Sequence, residues 1–328
     1  MTNVYLAKNI DKILENIDYS KLGNNVAIKV HFGEKGCATF VNSKLVKKVY
    51  QKIESLSKKA TLIECNVLYK GSRTNSTDHL KTAISHGFTD MAIDILDGEK
   101  GEKFVKINNC KIGAGIKKYD SLIVISHFKG HGMAGFGGAI KNVGMGLGSR
   151  AGKLHMHSQV KPYIIEDKCV GCGICIQNCN ANAIEIINKK AQINLKKCEG
   201  CAMCIAVCPH NAATVHWDSA TSDYLQEKIA EYAKAALTLF PNPIFINVLE
   251  KITKKCDCVR TRQIPIIKDI GITCSIDIVA VDKASLDLAN SLSKNKFNKI
   301  NDVNKENQID ITEKLGLGKS KYNLIKLD

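Results

Sequence analysis

The sequence predicts a mixed α/β fold: a mostly parallel sheet with flanking helices, interrupted near its middle by a small α+β module rich in cysteine. Three observations carry this. Over the first 160 residues, β-rich runs alternate with segments of helical periodicity, the pattern of parallel strands joined by crossover helices. Residues 121–125 (SLIVI) are apolar without alternation, as in a strand buried on both faces. Eight of the 14 cysteines fall between Cys169 and Cys208, and the α/β pattern resumes beyond them.

The elements follow in order. Residues 26–30 form a short strand. Residues 43–56 form a helix with Leu45, Val46, Val49, Tyr50 and Ile53 on one stripe. Residues 61–64 are again strand-like, and 77–86 helical with Thr77 or Asp78 as N-cap. After the cysteine-rich stretch, 222–240 reads as a long amphipathic helix closed by Pro241. Residues 244–249 and 277–281 read as strands, and 284–292 as a helix. The Asn/Lys-rich last ~25 residues read as a peripheral cap or tail. The expected organisation is one α/β domain in two parts, 1–164 and 219–328, around an insert at 165–218.

Composition narrows the class. With 45% hydrophobic and 24% charged residues, the chain is neither disordered nor collagen-like. It shows no uninterrupted apolar run of the ~18 residues a membrane span needs, and no basic start followed by an apolar core that would mark a secretory signal. A cytoplasmic protein is expected, in which cysteines serve as metal ligands or redox groups before disulfides. The net charge is +15, and residues 100–168 alone hold twelve basic and four acidic residues. This favours anionic partners: a small anionic ligand, or an acidic redox partner of ferredoxin or flavodoxin type. No basic, aromatic-rich motif supports nucleic-acid binding.

The cysteine spacing is the most specific signal. Cys169-x2-Cys172-x2-Cys175-x3-Cys179 and Cys198-x2-Cys201-x2-Cys204-x3-Cys208-Pro209 are two copies of the bacterial ferredoxin run. Three cysteines two residues apart wrap one cubane, and the fourth ligates the other cluster. Two [4Fe–4S] clusters are expected, one on Cys169, Cys172, Cys175 and Cys208, the other on Cys198, Cys201, Cys204 and Cys179. Zinc also uses CxxC pairs, but two complete copies in this register favour clusters.

A glycine-rich segment, HFKGHGMAGFGGAIKNVGMGLGSRAGK, directly follows SLIVI. It matches neither a Walker loop nor a Rossmann fingerprint. Its glycines are expected to let backbone amides cradle an anion, with a helix N-terminus behind them. In open parallel sheets, ligands bind beyond the carboxyl ends of the strands. On that basis His31, Lys129, Gly135, Gly137, Gly138, Lys141 and Arg150 are expected to bind a cofactor or substrate, with His127 and His131 handling protons. Cys256 and Cys258 form a CxC pair that could hold a metal, with no matching His/Cys pair nearby in sequence. Cys37, Cys65 and Cys110 read as buried apolar residues, and His155-x-His157 as a solvated loop.

Together KVHFGEKG, LYKGSR, the glycine-rich segment, the two cysteine runs, CDC and the DIGI and DIVAVDKAS stretches resemble the family called domain of unknown function 362. The resemblance implies an α/β domain split by a two-cluster ferredoxin insert, and implies no established reaction. The expected function is an iron–sulfur oxidoreductase passing electrons to an anionic substrate or cofactor at the glycine-rich loop. The alternative is a non-catalytic electron carrier or cluster-bearing assembly protein.

Overall fold

Alternate residues along the central strands face opposite ways, and both faces are apolar, so helices must cover both. The computed structural model describes residues 1–217 and 219–327; Asp218, at the expected end of the insert, and Asp328 lie outside the described residues. Eight strands form the central sheet: β1 (Thr2–Ala7), β2 (Asn25–Lys29), β3 (Lys59–Glu64), β4 (Ile93–Ile95), β5 (Ser121–His127), β6 (Ile244–Leu249), β7 (Gly271–Ser275) and β8 (Tyr322–Lys326). Their spatial order is β8-β1-β7-β6-β5-β2-β3-β4. Every neighbouring pair is parallel except the two made by β7, which runs antiparallel to β6 and to β1.

Leu122 and Val124 point into one apolar core, Ile123 and Ile125 into another. The first core is closed by α4 (Ala139–Leu147), α6 (Ser222–Leu237) and α7 (Ile278–Leu292), the second by α1 (Ile10–Glu15) and α2 (Ser43–Ser55). α3 (Ser76–Ser85) adds Ala83 to the second core, and α5 (Arg150–His157) adds Met156 to the first. Helix starts are capped by side chains: Asn75 accepts the Asp78 amide at α3, in place of the expected Thr77 or Asp78 cap.

Three expectations need correction. Residues 277–281 are the start of α7, not a strand; Asp277 caps it by accepting the Val279 and Ala280 amides, and the strand lies earlier, at β7. The N-terminus, unassigned from sequence, supplies β1. The C-terminal stretch forms a helix, Glu306–Lys314, and then the edge strand β8 on β1.

The sheet draws strands from both sides of the cysteine-rich segment. That segment makes two small antiparallel pairs, Tyr163–Ile164 with Ala213–Thr214 and Ile184–Ile187 with Lys190–Ile193, and two short helices, Ile174–Gln177 and Met203–Val207. It has a small apolar core of its own, which Leu68 and Leu154 of the main body enter.

Candidate functional site: a cavity at the carboxyl edge of the sheet

The strand order reverses between β2 and β5: β2 leads outward to β3 and β4, β5 to β6 on the other side. A crevice opens beyond the carboxyl ends of strands at such a point. Here it holds a cavity of about 880 Å³, its open mouth included. Its walls come from the ends of β2 (His31) and β3 (Glu64, Cys65), the loop after β3 (Leu68, Tyr69, Arg73), the segment after β5 (Lys129, His131, Gly137, Gly138), α4 (Lys141, Asn142) and α5 (Lys153, His157). Because β7 is antiparallel, the β6–β7 connection turns back over this same edge and brings Cys256, Asp257 and Cys258 into the wall.

Buried charges in this region are paired, as low polarity demands. Lys29 Nζ lies 3.0 Å from Glu64, and Arg73 reaches Glu34 at 3.4 Å and Glu64 at 3.8 Å. Asp257 is fully buried, 2.9 Å from His127 Nδ1 and 3.2 Å from Lys129 Nζ. Burial alone would raise its pKa, but His127 and Lys129 hold it well below the usual carboxylate value. Burial, aided by Lys141, pushes His157 down to about 4 and His131 well below its ordinary value, so both rings are neutral at pH 7. His131 Nδ1 accepts the Met133 and Ala134 amides at 3.2 and 2.9 Å, which leaves its proton on Nε2.

Of the residues expected at the site, His31, Lys129, His131, Gly137, Gly138 and Lys141 meet in this cavity. His127 does not line it: its two ring nitrogens are spent on Asp257 and the Glu250 carbonyl. Arg150 does not line it either. Its guanidinium is buried against the Lys100, Val67 and Thr74 carbonyls, tying the loops after β3 and β4 to the start of α5. Gly135 has φ +77° and packs on Lys305.

The glycines mostly answer to packing. A Cβ on Gly144 would run into the Ile229 carbonyl, where α4 and α6 cross closely. A Cβ on Gly138 would strike the Asp282 carboxylate, which accepts the Ala139 and Ile140 amides at 2.7 and 2.9 Å. The N-terminus of α4, expected to face an anion, is thus capped from within by a residue of α7. His157, expected in a solvated loop, is helical and lines the cavity. Cys37, Cys65 and Cys110 are buried as expected.

In the cysteine-rich segment, Cys169, Cys172, Cys175 and Cys208 line one space of about 350 Å³, its opening to solvent included. Cys179, Cys198, Cys201 and Cys204 line a second of the same size. Each repeat therefore sends its fourth cysteine to the space of the other. Three sulfurs accept backbone amides: Cys169 from Ala191, Cys179 from Ala183 and Cys208 from Ala212, at 3.2, 3.3 and 3.2 Å. Gly171, Gly173 and Gly200 turn the chain around these spaces at positive φ, where a Cβ would be strained. Burial pushes the Cys204 thiol up to about 12. The segment abuts the cavity: Leu68 lines the cavity and packs in the same small core as Cys169 and Cys204. Next to it, Lys70 Nζ lies 3.5 Å from the Cys208 carbonyl.

The fold is thus an open, mostly parallel α/β sheet with its cavity at the strand-order reversal. By its match over residues 26–287, the chain belongs to the family described as domain of unknown function (DUF362). No curated protein matches its sequence. Solved structures that it resembles include the lactate racemase apoprotein from Thermoanaerobacterium thermosaccharolyticum, at 13% identity and TM-score 0.37, covering 76% of this chain and 51% of that one. A protein from Thermotoga maritima matches at 10% identity and TM-score 0.39, covering 87% and 56%. The chain therefore spans about half the length of each. Among the described residues no helix is long and apolar enough to cross a membrane.

Proposed function

We propose that the chain is a cytoplasmic iron–sulfur redox protein that carries two [4Fe–4S] clusters in a ferredoxin-like insert and passes electrons to a small anionic substrate or cofactor held in the cavity. The observation that carries this reading is the partition of eight cysteines into two sets of four around two separate spaces, with Cys179 and Cys208 exchanged between the repeats. That exchange is what the two-cluster ferredoxin spacing requires. Amides donated to Cys169, Cys179 and Cys208 suit thiolates that stay charged on a metal. A [4Fe–4S] cluster, when bound, supplies one electron at a time.

The chain's own residues would do the rest. Lys141 and Lys153 on the cavity wall attract an anion. His131, with its proton on Nε2, can donate to it. Leu68, which lines the cavity and packs in the core of the cysteine-rich segment, separates the two by little more than one side chain. The exchange partner would be an acidic carrier of ferredoxin or flavodoxin type, matched to the net charge of +15.

Anaerobic purification tests the reading. About eight iron and eight sulfide per chain are expected from this ligand count, with a paramagnetic signal on reduction by dithionite. Zinc on these cysteines would overturn it. Full clusters with no anion bound by the cavity would leave an electron carrier alone.

A further inference from the structure

Cys256 and Cys258 sit on the cavity wall, and nothing in the function proposed above uses them. Cys258 Sγ lies 3.7 Å from His31 Nε2 and 3.8 Å from an Arg73 guanidinium nitrogen. His31 Nδ1 accepts the Gly33 amide at 3.2 Å. A ring nitrogen that accepts carries no proton, so the neutral ring holds its proton on Nε2, facing the sulfur. An N–H donor and a fixed cation around one sulfur stabilise the thiolate. The same tautomer speaks against a metal shared by Cys258 and His31, since a metal needs the Nε2 lone pair. The neighbouring Cys256 thiol, His31 and Arg73 together pull the Cys258 pKa well below its ordinary value against the effect of burial. The charge on Cys258, with burial, pushes Cys256 well above its own. The proton of the pair therefore stays on Cys256.

We propose that Cys258 is a nucleophilic thiolate and Cys256 its resolving thiol, and that the substrate of the cavity is a small anionic disulfide. The proposal rests on the function proposed above for its electrons. Cys258 Sγ attacks one sulfur of the substrate, the substrate S–S bond breaks, and the first half leaves as a thiolate. Cys256 then loses its proton and attacks Cys258 Sγ, the mixed disulfide breaks, and the second half leaves as a thiolate. A Cys256–Cys258 disulfide remains. Two successive one-electron donations from the iron–sulfur donor, with one proton returned to Cys256, restore the thiolate–thiol pair. One disulfide and two electrons give two thiolates, and a two-cluster protein can store that number of electrons. Anion preference comes from Lys141 and Lys153, which line the same wall and, among the described residues, make no ion pair.

The test uses the anaerobic protein, with alkylation by iodoacetamide and disulfide exchange mapped by peptide mass spectrometry. The probes are dithiodiglycolate, a dianionic disulfide, and cystamine, a dicationic one of similar size. Cys258 should alkylate within about twofold of the same rate at pH 6.5 and 8.5, whereas an ordinary thiol gains about 50-fold. Dithiodiglycolate should react at Cys258 at least tenfold faster than cystamine and leave a Cys256–Cys258 disulfide. Cys256→Ser should trap the mixed disulfide on Cys258, and Cys258→Ser should remove fast exchange. An ordinary pH profile at Cys258, a preference for cystamine, or a mixed disulfide that persists in the unaltered protein would overturn the proposal. None of these readouts needs a cluster. Iron-free protein that passes them keeps the thiol pair and refutes the iron–sulfur reading; iron-loaded protein that fails them does the reverse.

Discussion

Replacing Asp257 with asparagine should destabilise the fold by about 3–5 kcal/mol, the cost of stranding a buried charge. Asp257 is fully buried and accepts from Thr39 Oγ1 at 3.1 Å as well as facing His127 and Lys129. Asparagine keeps the shape and removes the charge. Lys129, whose side chain is 11% exposed, is then left with the His127 carbonyl at 2.8 Å and no counter-charge. Against a total stability of about 5–15 kcal/mol this is a large fraction. The pH dependence has a definite sign. The folded-state pKa of Asp257 is depressed, so its contribution is present above the unfolded value near 3.9 and is lost as pH falls through the lower folded value. The difference between the two proteins should be full at pH 7 and shrink below about pH 4. Urea unfolding followed by far-ultraviolet circular dichroism at several pH values measures it. A difference under about 1 kcal/mol at pH 7, or one that grows toward acid, refutes the reasoning.

Asp282→Ala should cost about 1–3 kcal/mol in the same assay, because the first two amides of α4 lose their acceptor inside the core. Gly144→Val should lower the melting temperature through overpacking of about 1–3 kcal/mol, since its side chain has no room beside the Ile229 carbonyl; an unchanged melting temperature contradicts the close α4–α6 crossing. On the proposed iron–sulfur reading, Cys179→Ser should perturb a cluster at the second repeat and leave one at the first, so iron content should fall by up to about half; loss confined to the Cys169 side contradicts that reading. Lys141→Ala should weaken binding of a small dianion by about 1–3 kcal/mol, measured by calorimetry, with the ultraviolet–visible spectrum unchanged.

Much of the fold was legible because its signals are local. Strands β2, β3, β5 and β6 announced themselves as short apolar runs, and α2 and α6 by their periodicity. The error at 277–281 is of the same kind: IVAV is β-branched, yet the Asp277 cap and burial on three sides make it a helix. The β1 strand lacked a signal because residues 2–7 alternate weakly and pair with strands far away in sequence, at Ile272–Cys274 and Tyr322–Lys326.

The site divides similarly. The cysteine spacing already pointed to the grouping of thiols that line each space, three from one tight loop and the fourth from the other repeat. Strand-end position determined that His31, Lys129, His131 and Lys141 would share a cleft. Tertiary structure alone decided the rest. Cys258 meets His31 across 227 residues, because β7 runs antiparallel in the central sheet and folds the β6–β7 loop back over the cavity. Arg150 and the amides at the start of α4 looked like anion ligands in sequence. In the fold they are consumed by carbonyls and by Asp282, since a buried donor takes whichever acceptor packing supplies. Which residues are near in space depends on strand order, and strand order is set by how two apolar cores close on the two faces of the sheet, not by any short stretch of chain.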